Sequence, residues 1–383
     1  MFSYKRLNIP LFLFFYMTMY GAKPLKILFV VGHFPAPSQG FILNIITGLI
    51  DRGHKVTIFS LNKDPLIDVH PDIKKYNLLK VVTYKTFPKK LPCCDIVFCQ
   101  FGYHGKMLAS RRHLFKWLKQ RKMVTCFRGS DTTSYVQQHP RIYKNLFSKG
   151  DLFLPVCDYF KQKLINLGCP AHKITVHYSA IDCSKFYFTM RNRPANDNIN
   201  LVSVCRLVKK KGIDDAIKAF AQVVQKYPKL HYTIIGDGSE RTYLELLIYQ
   251  LNLQNNVTLC GWKNQDDVVS MLDKSHIFLL PAKIAEDGNE EGIANALKEA
   301  MAMGLIVIGT WHAGTPELID HKESGFLVPE KDVCQLAHTI EYTIEHPEIW
   351  ESMSLAGRKK VETEFETKRS IKKLEKLFYT LVK

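Results

Sequence analysis

Nowhere do two cysteines stand with the two-residue gap of a zinc or redox motif, although ten occur, at positions 93, 94, 99, 126, 157, 169, 183, 205, 260 and 334. That absence excludes a zinc ribbon and a thioredoxin-like dithiol. Scattered thiols in a chain of 383 residues fit a reducing compartment better than a disulfide framework, and read as small buried apolar side chains. No segment reaches the roughly 20 consecutive apolar residues that a spanning helix needs. Acidic residues are scarce beside basic ones, 36 against 53, for a net charge of +17. Such a balance suits an anionic partner: nucleic acid, a membrane surface or a phosphorylated substrate. The basic residues form only short runs such as Lys209, Lys210 and Lys211, without a long tail or an RNA-binding or zinc-finger signature, so nucleic acid is not the expected partner.

One short apolar run does occur near the start. Lys5 and Arg6 precede residues 11–17 (LFLFFYM), the layout of a signal peptide, but Tyr20 two residues before Ala22 spoils a small-x-small cleavage site. Residues 1–23 therefore stay open between a membrane-surface anchor, a true signal and an early start upstream of Met17 or Met19. The remainder, 46% hydrophobic over the whole chain, is too long for one ordinary core and apolar enough for two.

From Leu25 the pattern alternates between strand and helix. LKILFVV is an uninterrupted apolar run of the kind buried on both faces of a parallel sheet; FILNIITGLIDRGH follows as an amphipathic helix and KVTIFSL as the next strand, completing a βαβ unit. Further strands are expected at VVTYK, DIVFCQF, KMVTCFRG, DLFLPVC and, from Lys173, KITVHYS. The polar stretch RNRPANDN at 191–198 reads as an interdomain linker. After it the alternation resumes with INLVSVCRL, a helix over 214–227, LHYTIIGDG, a helix from Arg241, NVTLCGW, HIFLLPA, a helix near Asn295, LIVIGT and GFLV. The expected architecture is α/β: two doubly wound, Rossmann-like domains over 24–190 and 199–354 facing a cleft, with a long basic helical segment over 355–383 crossing back onto the first. Ligands of such sheets bind beyond the carboxyl ends of the strands, at glycine loops and helix N-termini.

The most informative stretch is EEGIANALKEAMAMGLIVIGTWHAGTPELI at 290–319, in which Glu291 and Glu299 are separated by seven residues and the second lies on a helix. Gly292 lets backbone approach a ligand, the following helix directs free N–H groups at anionic oxygens, and Glu299 can accept both hydroxyls of a ribose. Together with ESGFLV this run resembles the carboxylate motif of the retaining GT-B glycosyltransferases numbered family four. The resemblance spans about 25–365, and the first half is most similar to the exopolysaccharide, colanic-acid-type branch.

The resemblance implies a nucleotide-sugar site. Glu291 and the backbone of Gly292, Ile293 and Ala294 would contact the transferred sugar. In VCRLVKKKGIDDAI, Arg206 and Lys211 would grip the donor diphosphate, a charge that fixed cations must stabilise on departure; Lys209 and Lys210 read as a basic turn. No Asp-x-Asp motif stands at a strand end, so neither metal nor cofactor is expected. The loop carrying Gly236 and Gly238 lacks the third glycine of a dinucleotide fingerprint, Arg241 standing there, and would lie by the nucleotide. The segment around Trp262 would hold the base. On the acceptor side, Ser38, Gln39 and Gly40 match a loop where the branch carries an acidic residue and Thr. In CFRGSDTTSY, Arg128 stands where many members have a sugar-contacting His; Gln100 likewise replaces a His, and Asp131 is retained. Arg128 reads equally as a strand-end cation paired with Asp131. The implied reaction is hexose transfer from a UDP- or GDP-sugar to a glycan or polyprenyl-linked glycan in polysaccharide biosynthesis, in the cytoplasm or peripherally at the membrane face. Two rivals stay open, a catalytically silent binding or assembly subunit and a dinucleotide oxidoreductase; the missing third glycine counts against the latter.

Overall fold

The computed structural model describes residues 23–36, 40–64, 70–84, 94–114 and 116–383; Ser38, Gln39 and the extension before Lys23 lie outside them. Six parallel strands form the first sheet: β1 (Lys26–Phe34), β2 (Lys55–Lys63), β3 (Val82–Tyr84), β4 (Ile96–Cys99), β5 (Lys122–Phe127) and β6 (Leu152–Pro155), in the order β3-β2-β1-β4-β5-β6. The second sheet repeats this order with β7 (Asn200–Val204), β8 (His231–Ile235), β9 (Val257–Leu259), β10 (Ile277–Leu280), β11 (Ile306–Thr310) and β12 (Phe326–Val328). Strands β4, β6, β10 and β11 are buried along their whole length, as their apolar runs require when helices cover both faces. Strand order reverses between β1 and β4 and again between β7 and β10, which opens a crevice at the carboxyl ends of each sheet. This is a two-domain, Rossmann-like α/β fold. Among the described residues no helix is long and apolar enough to cross a membrane.

Three sequence readings need correction. KITVHYS is not a seventh strand: only Ile174 bridges Phe153, after which Thr175 and His177 donate to the carbonyls of Phe153 and Pro155. The segment then leaves the sheet edge, because by Ile181 its backbone pairs with Phe365 and Thr367 instead. Nor is 191–198 a free linker. Arg191 is buried, its guanidinium donating to the carbonyls of Asp273 (2.6 Å) and Met303 (3.0 Å), and Arg193 reaches the carbonyl of Ile344, so the stretch is docked on the second domain. The second core also extends back to Ile181, Cys183 and Phe186.

The last correction concerns the C-terminal segment, which is two helices. Trp350–Glu364 packs with its fully buried Trp350 and Val361 in the second core. Phe365 ends it, Glu366 caps the next helix through the N–H of Arg369, and only Thr367–Val382 crosses to the first domain, where Ile371, Leu374 and Phe378 join the core. The approach is close: a Cβ at Gly48 would stand 2.8 Å from Ile371. Glu375 completes the contact by pairing with Arg52 and with His54 at 2.9 Å.

Phe378→Ala should therefore lower stability by about 3 to 5 kcal/mol, the range for an emptied aromatic core site. Leu355→Ala, at a side chain 47% exposed, should change it by less than about 0.5 kcal/mol. Urea unfolding of both variants checks the contrast, and equal shifts would contradict the crossing described.

Candidate active site

Three strand-end loops of the second domain meet because glycines remove the atoms that would hold them apart. Gly212, at φ 66°, follows β7, and a Cβ there would lie 1.9 Å from the carbonyl oxygen of Pro281 after β10. Gly236, at φ 133°, follows β8, and its Cβ would lie 1.8 Å from the carbonyl of Cys205. No L side chain fits either place. Gly238 approaches Leu207 as closely, and the N–H of Leu207 donates to Asp237 at 2.9 Å, so the loop bearing Arg206 is strapped to the glycine loop.

Glu291 sits where these loops converge. Its Oε2 is 3.0 Å from Lys210 Nζ and 3.0 Å from Lys211 Nζ. Burial opposes its ionisation, but the ammoniums of Lys211 and Lys210 outweigh that and hold Glu291 well below the usual carboxylate range. It is thus a permanent acceptor rather than a proton donor. Lys210 is not part of a solvated basic turn: it is buried, pairs with Glu291 and donates to the carbonyl of Glu290 at 3.0 Å. Three lysines in a row hid it, since spacing alone does not reveal which one faces inward. The basic-turn reading holds for Lys209, which is exposed, pairs with Glu240 at 2.8 Å and lies over the Tyr243 ring. Arg206 is exposed at the strand end and makes no ion pair among the described residues.

A second buried group, unremarked in the sequence, holds Glu291 from behind. The Glu291 N–H donates to His312 Nε2 at 2.9 Å, and His312 Nδ1 is 2.7 Å from Glu330 Oε1. An imidazole that accepts at Nε2 carries its proton at Nδ1, so Nδ1–H donates to Glu330. The other oxygen of Glu330 accepts the N–H of Ile284 at 2.9 Å. One carboxylate and one imidazole thereby pin both ends of the loop between β10 and the carboxylate motif.

Beyond that loop, Gly292, Ile293 and Ala294 lead into the helix Asn295–Ala302, whose N-terminus has no side-chain cap. Its orphan N–H groups suit anionic oxygens. The Glu299 carboxyl forms no hydrogen bond or ion pair among the described residues, and burial pushes it up to about 7, with Lys298 opposing. Lys298 is fully buried, donating to the carbonyl of Ser179 (2.6 Å) and to Asn295 (3.0 Å).

The first domain closes on this arrangement. Glu317 accepts the N–H groups of Asp158 (2.9 Å) and Tyr159 (3.1 Å), capping the helix Asp158–Asn166 of the other domain, while Lys163 pairs with buried Glu290. A Cβ on Gly129 would stand 3.9 Å from Lys210 Nζ, and one on Gly292 3.0 Å from Phe160. Of the acceptor-side residues, Gly40 begins the helix Gly40–Asp51. Asp131 is fully buried, and its oxygens accept the N–H groups of Arg128, Gly129 and Gly102. Arg128 consequently does not pair with Asp131 through its side chain. Its guanidinium donates to Gln100 Oε1 and Ser179 Oγ, each at 2.8 Å, and lies over Phe41. Trp262 is exposed after β9, and no described contact joins its ring to Glu291 or Glu299.

Comparison with known proteins agrees with this geometry. Residues 189–360 match the model of the glycosyl transferases group 1, and residues 39–185 that of glycosyltransferase family 4. The chain is 34% identical to the amylovoran biosynthesis glycosyltransferase AmsK of Erwinia amylovora, covering 89% of this chain and 96% of the relative. It is 32% identical to the putative colanic acid biosynthesis glycosyltransferase WcaL of Salmonella typhimurium, over 93% and 100%. In fold it is similar to the GT-B protein HepE of Anabaena, solved with UDP and glucose (TM-score 0.76, 17% identity, 93% of this chain and all of the other). It is likewise similar to the sucrose-phosphate synthase of Thermosynechococcus elongatus (TM-score 0.75, 17% identity, 93% and 99%).

His312→Phe keeps a ring in the cavity but removes both nitrogens, leaving the Glu291 N–H and Glu330 without their partner. Stability should fall by about 1 to 3 kcal/mol, the usual cost of buried groups left unsatisfied. Urea unfolding measures it, and an unchanged midpoint would show that the relay contributes nothing.

Proposed function

The chain belongs to the group 1, family 4 glycosyltransferases, and on that premise we propose that it moves a hexose from a UDP- or GDP-sugar to a hydroxyl of a glycan or polyprenyl-linked glycan, without a metal and with retention at the anomeric carbon. The names of the relatives support a place in exopolysaccharide biosynthesis. The observation that carries the reading is Glu291 held between two lysines, with Glu299 eight positions on and Arg206 at the neighbouring strand end. In this reading Arg206, Lys211 and the uncapped helix N-terminus stabilise the departing diphosphate. Gly236, Gly238 and the Trp262 segment border the nucleotide, and Glu299 accepts from the ribose. Glu291, with its charge spread over two ammoniums, accepts hydroxyls of the sugar. A carboxylate so restrained is a poor nucleophile, which favours attack on the same face from which the diphosphate leaves.

Lys211→Ala should cost at least ~3 kcal/mol of transition-state stabilisation, the size seen on removing one charge-stabilising donor. Initial rates with a panel of UDP- and GDP-sugars, run in excess EDTA, measure it. Near-normal turnover in the variant would sink the diphosphate role, and a wild-type rate restored only by Mn²⁺ or Mg²⁺ would sink metal independence.

The two carboxylates should fail differently. Glu299→Gln is expected to weaken free nucleotide and full donor alike by roughly 1.5 to 3 kcal/mol, the value of a charge-assisted bond. Glu291→Gln should depress turnover with little change in nucleotide affinity. Because burial pushes Glu299 up to about 7, it is mostly protonated at about pH 6 and ionised at about pH 8, so nucleotide affinity should rise more steeply across that interval in the wild type than in Glu299→Gln. Calorimetric titration at both pH values decides, and equal loss of nucleotide affinity in the two variants would overturn the roles.

A further inference from the structure

We propose that Arg128 receives a carboxylate borne by one of the two sugar substrates, so that the enzyme handles a uronic acid, either as the transferred sugar or at the end of the acceptor. The inference rests on the glycosyltransferase reading and concerns which sugars that site selects. It starts from the charges gathered where the two domains meet. Lys210 and Lys211 share Glu291, and Lys163 takes Glu290. Arg206 and Arg128 have no carboxylate within ion-pair distance among the described residues. The two negative charges of a nucleoside diphosphate answer the second domain's cations: Arg206, the lysine pair and the helix N-terminus. Nothing in that donor headgroup answers Arg128, which stands on the first domain at the end of β5, one residue from Gly129, where a Cβ would stand 3.9 Å from Lys210 Nζ.

The surroundings of Arg128 orient the guanidinium without neutralising it. Gln100 Oε1 and Ser179 Oγ each accept one N–H, both at 2.8 Å, and the Phe41 ring supports the planar face at 4.5 Å. Two further donors are left over: Arg128 Nε and Gln100 Nε2 are buried with no partner, although Gln100 is wholly inaccessible. The nearby carboxylate of Asp131 is taken up by three backbone N–H groups. A permanent, partly desolvated charge is costly where a neutral donor would serve the same hydrogen bonds. The cost reaches a neighbour as well, since burial pushes Lys298 down to about 7 and Arg128 adds to that depression. An arginine fork held flat and lacking an anion matches the bidentate geometry of a carboxylate, which lysine or histidine does not reproduce.

The test uses the full chain and paired probes. In the donor arm, UDP-glucuronic acid is compared with UDP-glucose, and in the acceptor arm, uronate-terminated with neutral oligosaccharides of the same linkage, by calorimetric binding and initial rates. The wild type should prefer the acidic member of one pair by roughly tenfold or more, the scale of discrimination by a site with a dedicated polar partner. Arg128→Gln should abolish the preference by weakening the acidic member alone, with UDP affinity as the internal control, and Arg128→Lys should restore part of it. The arm that responds identifies the carrier of the carboxylate. No acid preference in either pair, or a preference that survives in Arg128→Gln, overturns the proposal; equal loss on both members shows Arg128 to be a structural latch and overturns it too. Failure of the wild type to bind UDP or GDP at all would instead strike the glycosyltransferase reading itself.

Discussion

One carboxylate shared by two adjacent lysines organises the junction of this molecule. Burying Lys210 and Lys211 side by side would be prohibitive without an anion between them, and Glu291, 3.0 Å from each, supplies it. The lysines come from the loop after β7 and the glutamate from the loop after β10, the two strands that flank the reversal of strand order. The ion triad therefore fixes the width of the crevice. The His312–Glu330 relay braces the glutamate's backbone, and the glycines after β7 and β8 let the surrounding loops come near enough for the triad to form.

The same triad is the floor on which the first domain rests. Gly129 lies near Lys210, Lys163 reaches Glu290, and Glu317 from the second domain does for the helix Asp158–Asn166 what a local Ser or Asp usually does at a helix start. The crossing peptide is gripped from both sides: Ser179 accepts Arg128 through its hydroxyl and Lys298 through its carbonyl. Two cations, one per domain, thus meet at Ser179, and the helix Asn295–Ala302 and the first-domain strand end are joined there.

Legibility in the sequence followed how local each feature is. Apolar runs such as KILFV and IFLL announce strands buried on both faces, because that burial is written into consecutive residues. Glu291, Lys211 and the glycine loop were readable from motif and spacing. Lys210 was not, since its inward orientation depends on the turn after β7 pressing against Pro281. KITVHYS has the composition of a strand, yet its backbone gives only two N–H groups to β6 before the chain turns at Ile181 to pair with the Phe365–Thr367 connection, a partner nearly two hundred residues away. Arg128 and Asp131 looked like a pair at a distance of three residues, but the turn between them brings backbone N–H groups to the carboxylate first. The His312–Glu330 relay joins residues eighteen apart whose types carry no mutual signal until β11 and β12 lie side by side.

The helix Thr367–Val382 gives the first domain a peculiar order of manufacture. Its buried Ile371, Leu374 and Phe378 complete a core whose other buried members run from Leu25 to Leu154, and Tyr379 reaches the carbonyl of Lys23 at 3.2 Å. On a ribosome, therefore, the first domain must wait for a helix translated long after its own strands. The second domain, whose core draws on residues 156–365, is the one able to settle while synthesis continues. During that interval one apolar face of the first sheet's helical layer stands uncovered and open to wrong contacts.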